Sequence, residues 1–427
     1  MKLTLHTGTH TIGGSCIEIS TEKTRIIIDL GVPLTDKDGN RVNTREVSRK
    51  STKELMDTGF LPKVPELFYD KSTEIDGIFI THSHLDHYGF MPRINSNIPV
   101  YMSRGCKDLI KCAKYFDQTK YDPSEAVAIP SWKPCKVGDL TITPYLVDHS
   151  AFDAFAYLVE GDGKRVFYTG DFRGHGRKKI LFENMLKRPL KDIDHLITEG
   201  TTLKRDLSKE AISEEEVTCQ LTREFRKSKG LTLISSSSQN MDRISSIYKA
   251  CLEAGKTFVI IPYTAAILNG IKREGIKIPQ YSFPGVKVLF VKHRFTDKMG
   301  EDKSLFKYAW KIIGYEGIAS DKENMVVLDS YNVRERLAKL KMLEGARLIY
   351  SQWEKYLDGQ ESFWEENGVE IVKVHTSGHI TPSDLKKFVK AINPKKISPM
   401  HTLGAESFRE FFGDKVVELN NGESIEV

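Results

Sequence analysis

A chain of 427 residues is too long for one ordinary core and predicts two domains or one heavily elaborated domain. Apolar residues at 40% against 28% charged, with a mean hydropathy of −0.36, exclude a largely disordered chain. No apolar run reaches the roughly 18–20 residues of a membrane helix, Met1–Gly14 lacks a signal-peptide pattern, and the net charge of +5 permits an anionic partner.

In chain order, short β-branched runs recur, each ending in a residue able to do chemistry. Arg25–Asp29 is the first and Gly77–Thr81 the second. Arg165–Asp171 and Leu196–Glu199 follow. Their length and their Gly and Pro boundaries predict strands rather than helices. From Thr202 to Trp364 the pattern becomes alternating helix and strand. Ser213 with Glu216 opens a helix that Gly230 stops, and Leu231–Ile234 is a strand. Asp242–Ala254 is a helix closed by Gly255, and Thr257–Ile261 is a strand. Met325–Leu328, a helix around Arg334–Leu343, and Arg347–Tyr350 repeat the unit, which implies a second domain built on a parallel sheet. Beyond it, Ile371–His375 and Lys396–His401 resume the first pattern, with a helix from Pro382 between them. The expected organisation is a first domain over 1–203 and 367–427, interrupted by an α/β domain over 204–366.

Six scattered cysteines without a Cys-x-x-Cys pair read as reduced thiols of a cytoplasmic protein, not as metal ligands. The densest chemistry follows the second strand. His82, His84, Asp86 and His87 place four ligand-capable side chains within six positions. Imidazole suits zinc, copper, iron and nickel, and the carboxylate adds a harder donor. Alternate residues project in different directions, so one tetrahedral ion cannot easily take all four, whereas two adjacent ions can. His82 and His84 would face one, Asp86 and His87 the other. A histidine-rich surface turn would need neither the aspartate nor the strand before it.

This His-x-His-x-Asp-His pattern resembles the metallo-β-lactamase superfamily. The resemblance implies an α/β fold of the αββα sandwich type and supplies further ligands. His149, Asp171 and His401 stand where the family's remaining donors would, although His149 or His401 alone would read as a core or turn histidine. By that pattern His82, His84 and His149 hold one divalent ion, Asp86, His87 and His401 hold the other, and Asp171 bridges them. Asp29 resembles the family's supporting carboxylate, which orients a ligand without binding metal. The two ions would be zinc, with manganese also suited to mixed His and Asp donors.

Three further features resemble the β-CASP nucleases, the branch that contains ribonuclease J. Leu196–Thr201 carries an acidic motif with Glu199 as its carboxylate, Val374–His379 carries a Ser-Gly-His, and His401 follows in a Pro-Met-His context. The resemblance implies hydrolysis of phosphodiester bonds, in RNA rather than DNA, by a hydroxide activated between two metals. Asp86, Glu199 and His379 would be the catalytic residues, with His379 as general acid to the leaving oxygen and Glu199 orienting it. His375 and Ser377 would contact substrate phosphate. Two departures separate the chain from ribonuclease J: Val327–Arg336 replaces a Gly-Ser-Gln-Gly-Glu-Pro stretch, and no extra domain is expected after His401. Arg173, Arg177, Lys178 and Lys179 read as a solvated basic loop, or as a guide for a polyanion. A hydrolase of small phosphodiesters or other esters is the second reading, and a non-catalytic RNA-binding scaffold, disfavoured by the full donor set, is the third.

Overall fold

The computed structural model of the chain describes residues 1–69, 74–204, 211–273, 275–290 and 303–427. They form two compact units, Met1–Ala211 with Gly378–Val427, and Ile212–Ser377. The first unit opens with β1 (Lys2–Thr7), β2 (Cys16–Ser20), β3 (Arg25–Ile28), β4 (Gly77–Phe79), β5 (Val100–Met102) and β6 (Val127–Ala128). It continues with β7 (Cys135–Val137), β8 (Leu140–Leu146), β9 (Phe155–Gly161), β10 (Lys164–Tyr168) and β11 (His195–Glu199). The second unit holds β12 (Thr232–Ser235), β13 (Thr257–Ile260), β14 (Val286–Leu289), β15 (Ile312–Ile313), β16 (Met325–Leu328), β17 (Arg347–Tyr350) and β18 (Glu370–Lys373). The chain then returns to the first unit for β19 (Lys396–Met400) and β20 (Glu423–Glu426).

Two sheets build the first unit, in the orders β20-β1-β2-β3-β4-β5-β6 and β19-β11-β10-β9-β8-β7. Strand periodicity decides what each residue touches. Ile26 and Ile28 point into a core shared with Ile142, Phe155, Tyr157 and Val159 of the facing sheet. Ile27, between them, points the other way, to Val47, Leu55 and Ile110 of the covering helices. On the second sheet Leu158, Phe167 and Leu196 face Phe182, Leu385, Phe388 and Phe408, which come from three helices. The layers therefore run helix, sheet, sheet, helix, the αββα sandwich.

The second unit is a single parallel sheet in the order β15-β14-β13-β16-β12-β17-β18. Its helices close as their caps dictate. Ser213 Oγ accepts from Glu216 N at 3.1 Å to start Glu214–Lys227. Gly255, at φ +68°, ends Met241–Ala254 in the left-handed conformation a glycine adopts at little cost. The helix expected around Arg334–Leu343 forms earlier, over Tyr331–Lys339, from Ser330. The helix from Ser213 ends at Lys227, and Gly230 instead lies against the backbone of Gly345, where a Cβ would come within 2.5 Å of its carbonyl oxygen.

The inserted unit starts and ends later than the expected 204 and 366. The shift at its end has one cause: β18 pairs in parallel with β17, Tyr350 opposite Lys373, and so extends the inserted sheet. The strand read in Ile371–His375 thus belongs to the second unit. No helix among the described residues is long and apolar enough to cross a membrane.

Candidate metal centre

Parallel neighbours end at the same edge of a sheet, and this brings the polar strand-end residues of the first unit together. β10, β11 and β19 are adjacent and parallel, so Asp171, Glu199 and His401 lie side by side just past or at their ends. β3 and β4 are likewise parallel and set Asp29 beside Thr81 and His82. After His82 the chain turns at His84 into the one-turn helix Leu85–Tyr88, which presents Asp86 and His87. The segment after β3 clasps that turn, with Leu30 N donating to His87 O at 2.8 Å and Val32 N to Leu85 O at 3.1 Å. Two of the site's residues sit in the left-handed region, Asp29 at φ +62° and His401 at φ +51°, a backbone strain typical of functional positions.

The donor atoms form two clusters, His82 with His84 and His149, and Asp86 with His87, Asp171 and His401, each within 4.8 Å. A third, overlapping group is Asp171, Glu199, His379 and His401. Asp171 Oδ2 is the centre: it lies 3.8 Å from His82 Nε2, 3.2 Å from His87 Nε2, 3.9 Å from His149 Nε2 and 3.8 Å from His401 Nε2. His84 turns Nδ1 inward, 3.2 Å from His149 Nε2. His379, about one-fifth exposed, places Nδ1 3.1 Å from Glu199 Oε2 and 3.5 Å from Asp171 Oδ2.

These side chains suit divalent cations. His82 Nε2, His87 Nε2 and both oxygens of Asp171 are buried with no hydrogen-bond partner. Each such orphan costs on the order of 1–3 kcal/mol unless something fills the space they face. Burial holds the His82, His84 and His149 imidazoles below the ordinary histidine range, the neutral form a metal needs. Burial also opposes charge on His87 and His401, but Asp171 acting with Asp29 on His87, and with Asp86 on His401, raises both. Asp86 is brought down to about 2 against its own burial, chiefly by the hydrogen bond with His401.

Supporting oxygens stand behind the imidazoles. Asp29 Oδ2 accepts from His87 Nδ1 at 2.8 Å, and Asp29 also accepts from Thr81 N at 2.8 Å. Thr81 Oγ1 lies 3.0 Å from His82 Nδ1, and the carbonyl of Gly378 accepts from His149 Nδ1 at 2.7 Å. Glu199 Oε1 accepts from Phe172 N at 3.0 Å, and Oε2 accepts from Thr201 Oγ1 at 2.6 Å. Sequence reasoning missed Thr81 and Thr201, whose only signal was their position one before His82 and two after Glu199. It also misjudged the basic run. Arg173 is buried against Asp148, with Nε 3.7 Å from Oδ1, and Lys178 Nζ donates to the carbonyls of His149 and Ala151. These two side chains fix the loops that carry His149 and Asp171 rather than lying in solvent. His375 and Ser377 belong to the second unit, where His375 is exposed with Nδ1 3.3 Å from Arg243 Nη1.

Comparison with known proteins agrees with this geometry. Residues 55–226 match the model described as beta-lactamase superfamily domain, and residues 369–412 match that of the Zn-dependent metallo-hydrolase RNA specificity domain. Ribonuclease J of Mycoplasma genitalium is 22% identical over 411 residues, covering 92% of this chain and 66% of that protein. Ribonuclease J of Helicobacter pylori is 23% identical over 420 residues, covering 94% of this chain and 56% of that one. The chain thus spans between about half and two-thirds of the length of these curated relatives. A crystal structure of a protein of unknown function from Enterococcus faecalis superposes with a TM-score of 0.79 at 21% identity, over 99% of both chains. The sandwich, the inserted parallel sheet and these matches together place the chain in the metallo-β-lactamase superfamily, in its β-CASP family, as a distant relative of the ribonucleases J.

Proposed function

We propose that the chain is a two-metal phosphodiesterase that cleaves RNA. The observation that carries the reading is the position of Asp171 Oδ2, within 3.9 Å of an Nε2 from each of four histidines drawn from both clusters. His82, His84 and His149 would hold one cation and Asp86, His87 and His401 the second, with Asp171 between the two groups. Zinc or manganese bound there would supply an acidified water and neutralise charge on a phosphate. The RNA specificity match over 369–412 supports RNA as the substrate.

The chain's own residues do the rest. Glu199 Oε2, 3.1 Å from His379 Nδ1, holds the ring, which leaves Nε2 as the atom that gives a proton to the departing 3′ oxygen. Asp29 holds His87 with its Nε2 lone pair toward the second ion. His375 and Ser377 contact substrate phosphate, and Arg243 holds the segment that carries them.

The test is digestion of end-labelled RNA and DNA bearing 5′-monophosphate, triphosphate or hydroxyl ends, with metal analysis of each variant. His379→Ala keeps two ions per chain and loses about 10²–10⁴-fold in turnover, whereas His84→Ala loses metal. Loss of an ion from His379→Ala would overturn the acid assignment. Inertness of the metal-loaded protein toward every polynucleotide, with cleavage of a small phosphodiester, would replace RNA with the smaller substrate.

A further inference from the structure

One hydroxyl in this site is shared among three of its residues, Glu199, His379 and His401. Thr201 Oγ1 lies 2.6 Å from Glu199 Oε2, 2.8 Å from His401 Nδ1, 3.3 Å from His379 Nδ1 and 3.1 Å from the carbonyl oxygen of His401. A hydroxyl has one hydrogen to give and two lone pairs to receive with. The Glu199 carboxylate accepts on its other oxygen as well, from Phe172 N at 3.0 Å and Ile380 N at 3.4 Å. The shortest and charge-assisted contact takes the hydrogen, so Thr201 donates to Glu199. Toward His401 its oxygen can then only accept, and Nδ1 of His401 must carry the ring hydrogen.

That choice decides the other face of the ring. With Nδ1 keeping its hydrogen, Nε2 is the ring nitrogen left to bind a cation, and it lies 3.1 Å from Asp86 Oδ2, its hydrogen-bond partner, and 3.8 Å from Asp171 Oδ2. A cation among these three atoms would take the place of the hydrogen between Nε2 and Asp86. We propose that Thr201 is a positioning residue: it relays the charge of Glu199 to His401, fixes the Nδ1–H form, and so prepares the second cation position. The inference rests on the ligand assignment above.

The other imidazoles that face the centre through Nε2 follow the same rule. His87 Nδ1 meets the Asp29 carboxylate directly, and His149 Nδ1 meets the carbonyl of Gly378. His82 Nδ1 meets a threonine, Thr81, whose hydroxyl lies 2.9 and 3.0 Å from the two oxygens of Asp29. Where no carboxylate or carbonyl reaches a ring directly, a threonine leaning on a carboxylate does. Through Thr201, Glu199 therefore serves two histidines, His379 at first hand and His401 at one remove.

The experiment is a zinc titration of the metal-free protein, followed by equilibrium dialysis, together with ¹⁵N spectra of its histidines. The unaltered chain binds two ions, and its zinc-loaded His401 shows a protonated Nδ1. Thr201→Val, which removes the hydroxyl and keeps the shape, retains the ion at His82, His84 and His149 and binds the other about 10–100-fold more weakly. Thr201→Ser restores the tighter binding. A second ion bound as tightly by Thr201→Val as by the unaltered chain would overturn the proposal. So would an Nε2-protonated His401 in the zinc-loaded unaltered chain, a measurement that needs no variant to fold. An unaltered chain that takes up fewer than two ions removes the ligand assignment itself, and the relay falls with it.

Discussion

Arg243 and Glu214 form an ion pair inside the second unit, both fully buried, with Nη2 3.1 Å from Oε1. The guanidinium also donates to the carbonyl of Ser351 at 2.9 Å and to that of Thr376 at 3.3 Å. Arg243→Met fills much of the same volume but removes the guanidinium from beside the buried Glu214 carboxylate. Ser246 Oγ, 2.8 Å from Oε2, stays as a neutral donor and cannot replace the charge. Breaking a buried pair from one side costs about 3–5 kcal/mol, and the two carbonyls that lose a donor add to it. With a urea dependence of about 2 kcal/mol per molar for a unit of this size, the unfolding midpoint falls by roughly 2 M. Tryptophan fluorescence reports this unit, because Trp310, Trp353 and Trp364 lie in it and only Trp132 lies in the other. Adding Glu214→Gln to Arg243→Met removes the carboxylate's charge and regains most of the loss. A midpoint shift below about 0.5 M in Arg243→Met, or a double variant no more stable than the single one, would refute the argument that the pair is held away from water.

Two further outcomes follow from contacts in the first unit. Gly31→Ala puts a Cβ 1.6 Å from Asp86 O and 2.7 Å from His87 N, so the turn must move; the expected result is loss of the second ion by metal analysis and about 1–3 kcal/mol or more of stability in urea melts. Burial would raise the Glu18 carboxyl, but hydrogen bonds from His6 and Arg25 bring it down to about 2, below its ordinary value of 4.5. A lowered carboxyl contributes stability above its unfolded pKa and loses it as pH falls to the folded one. The first unit therefore weakens between about pH 4.5 and 2, and Glu18→Gln flattens that acid limb in melts across pH.

The parts of the fold that were legible in the sequence are those that local chemistry decides. The triple isoleucine before Asp29 fills both faces of a buried strand, and Ser213, Gly255 and Thr381 mark helix ends by capping alone. The turn from His82 to His87 was legible because its donors are crowded into one short stretch. The contributions of His149, Asp171 and His401 came from a family pattern, since nothing local distinguishes a ligand from a satisfied core histidine; His195 is such a core residue, held by Ser398 Oγ at 2.9 Å. Other features depend on partners distant in the chain and left no local trace. β18 joins the inserted sheet because β17 offers it an edge, and β20 pairs with β1 across nearly the whole chain. The buried roles of Arg173 and Lys178 were hidden for the same reason: a basic run reads as solvated until Asp148 and two carbonyls are seen to receive it.

The strand that delivers His401 is synthesised after the whole inserted unit, yet it pairs directly with β11. At about 5–20 residues per second, a ribosome takes on the order of 10–40 s to travel from Glu199 to His401. During that interval the nascent chain can already complete the His82, His84 and His149 trio except for the Gly378 carbonyl, while β11 waits with an open edge. Assembly of the two ion positions is thus ordered in time by connectivity alone, and a chain released early would carry a half-built centre beside a strand able to pair with a neighbour's.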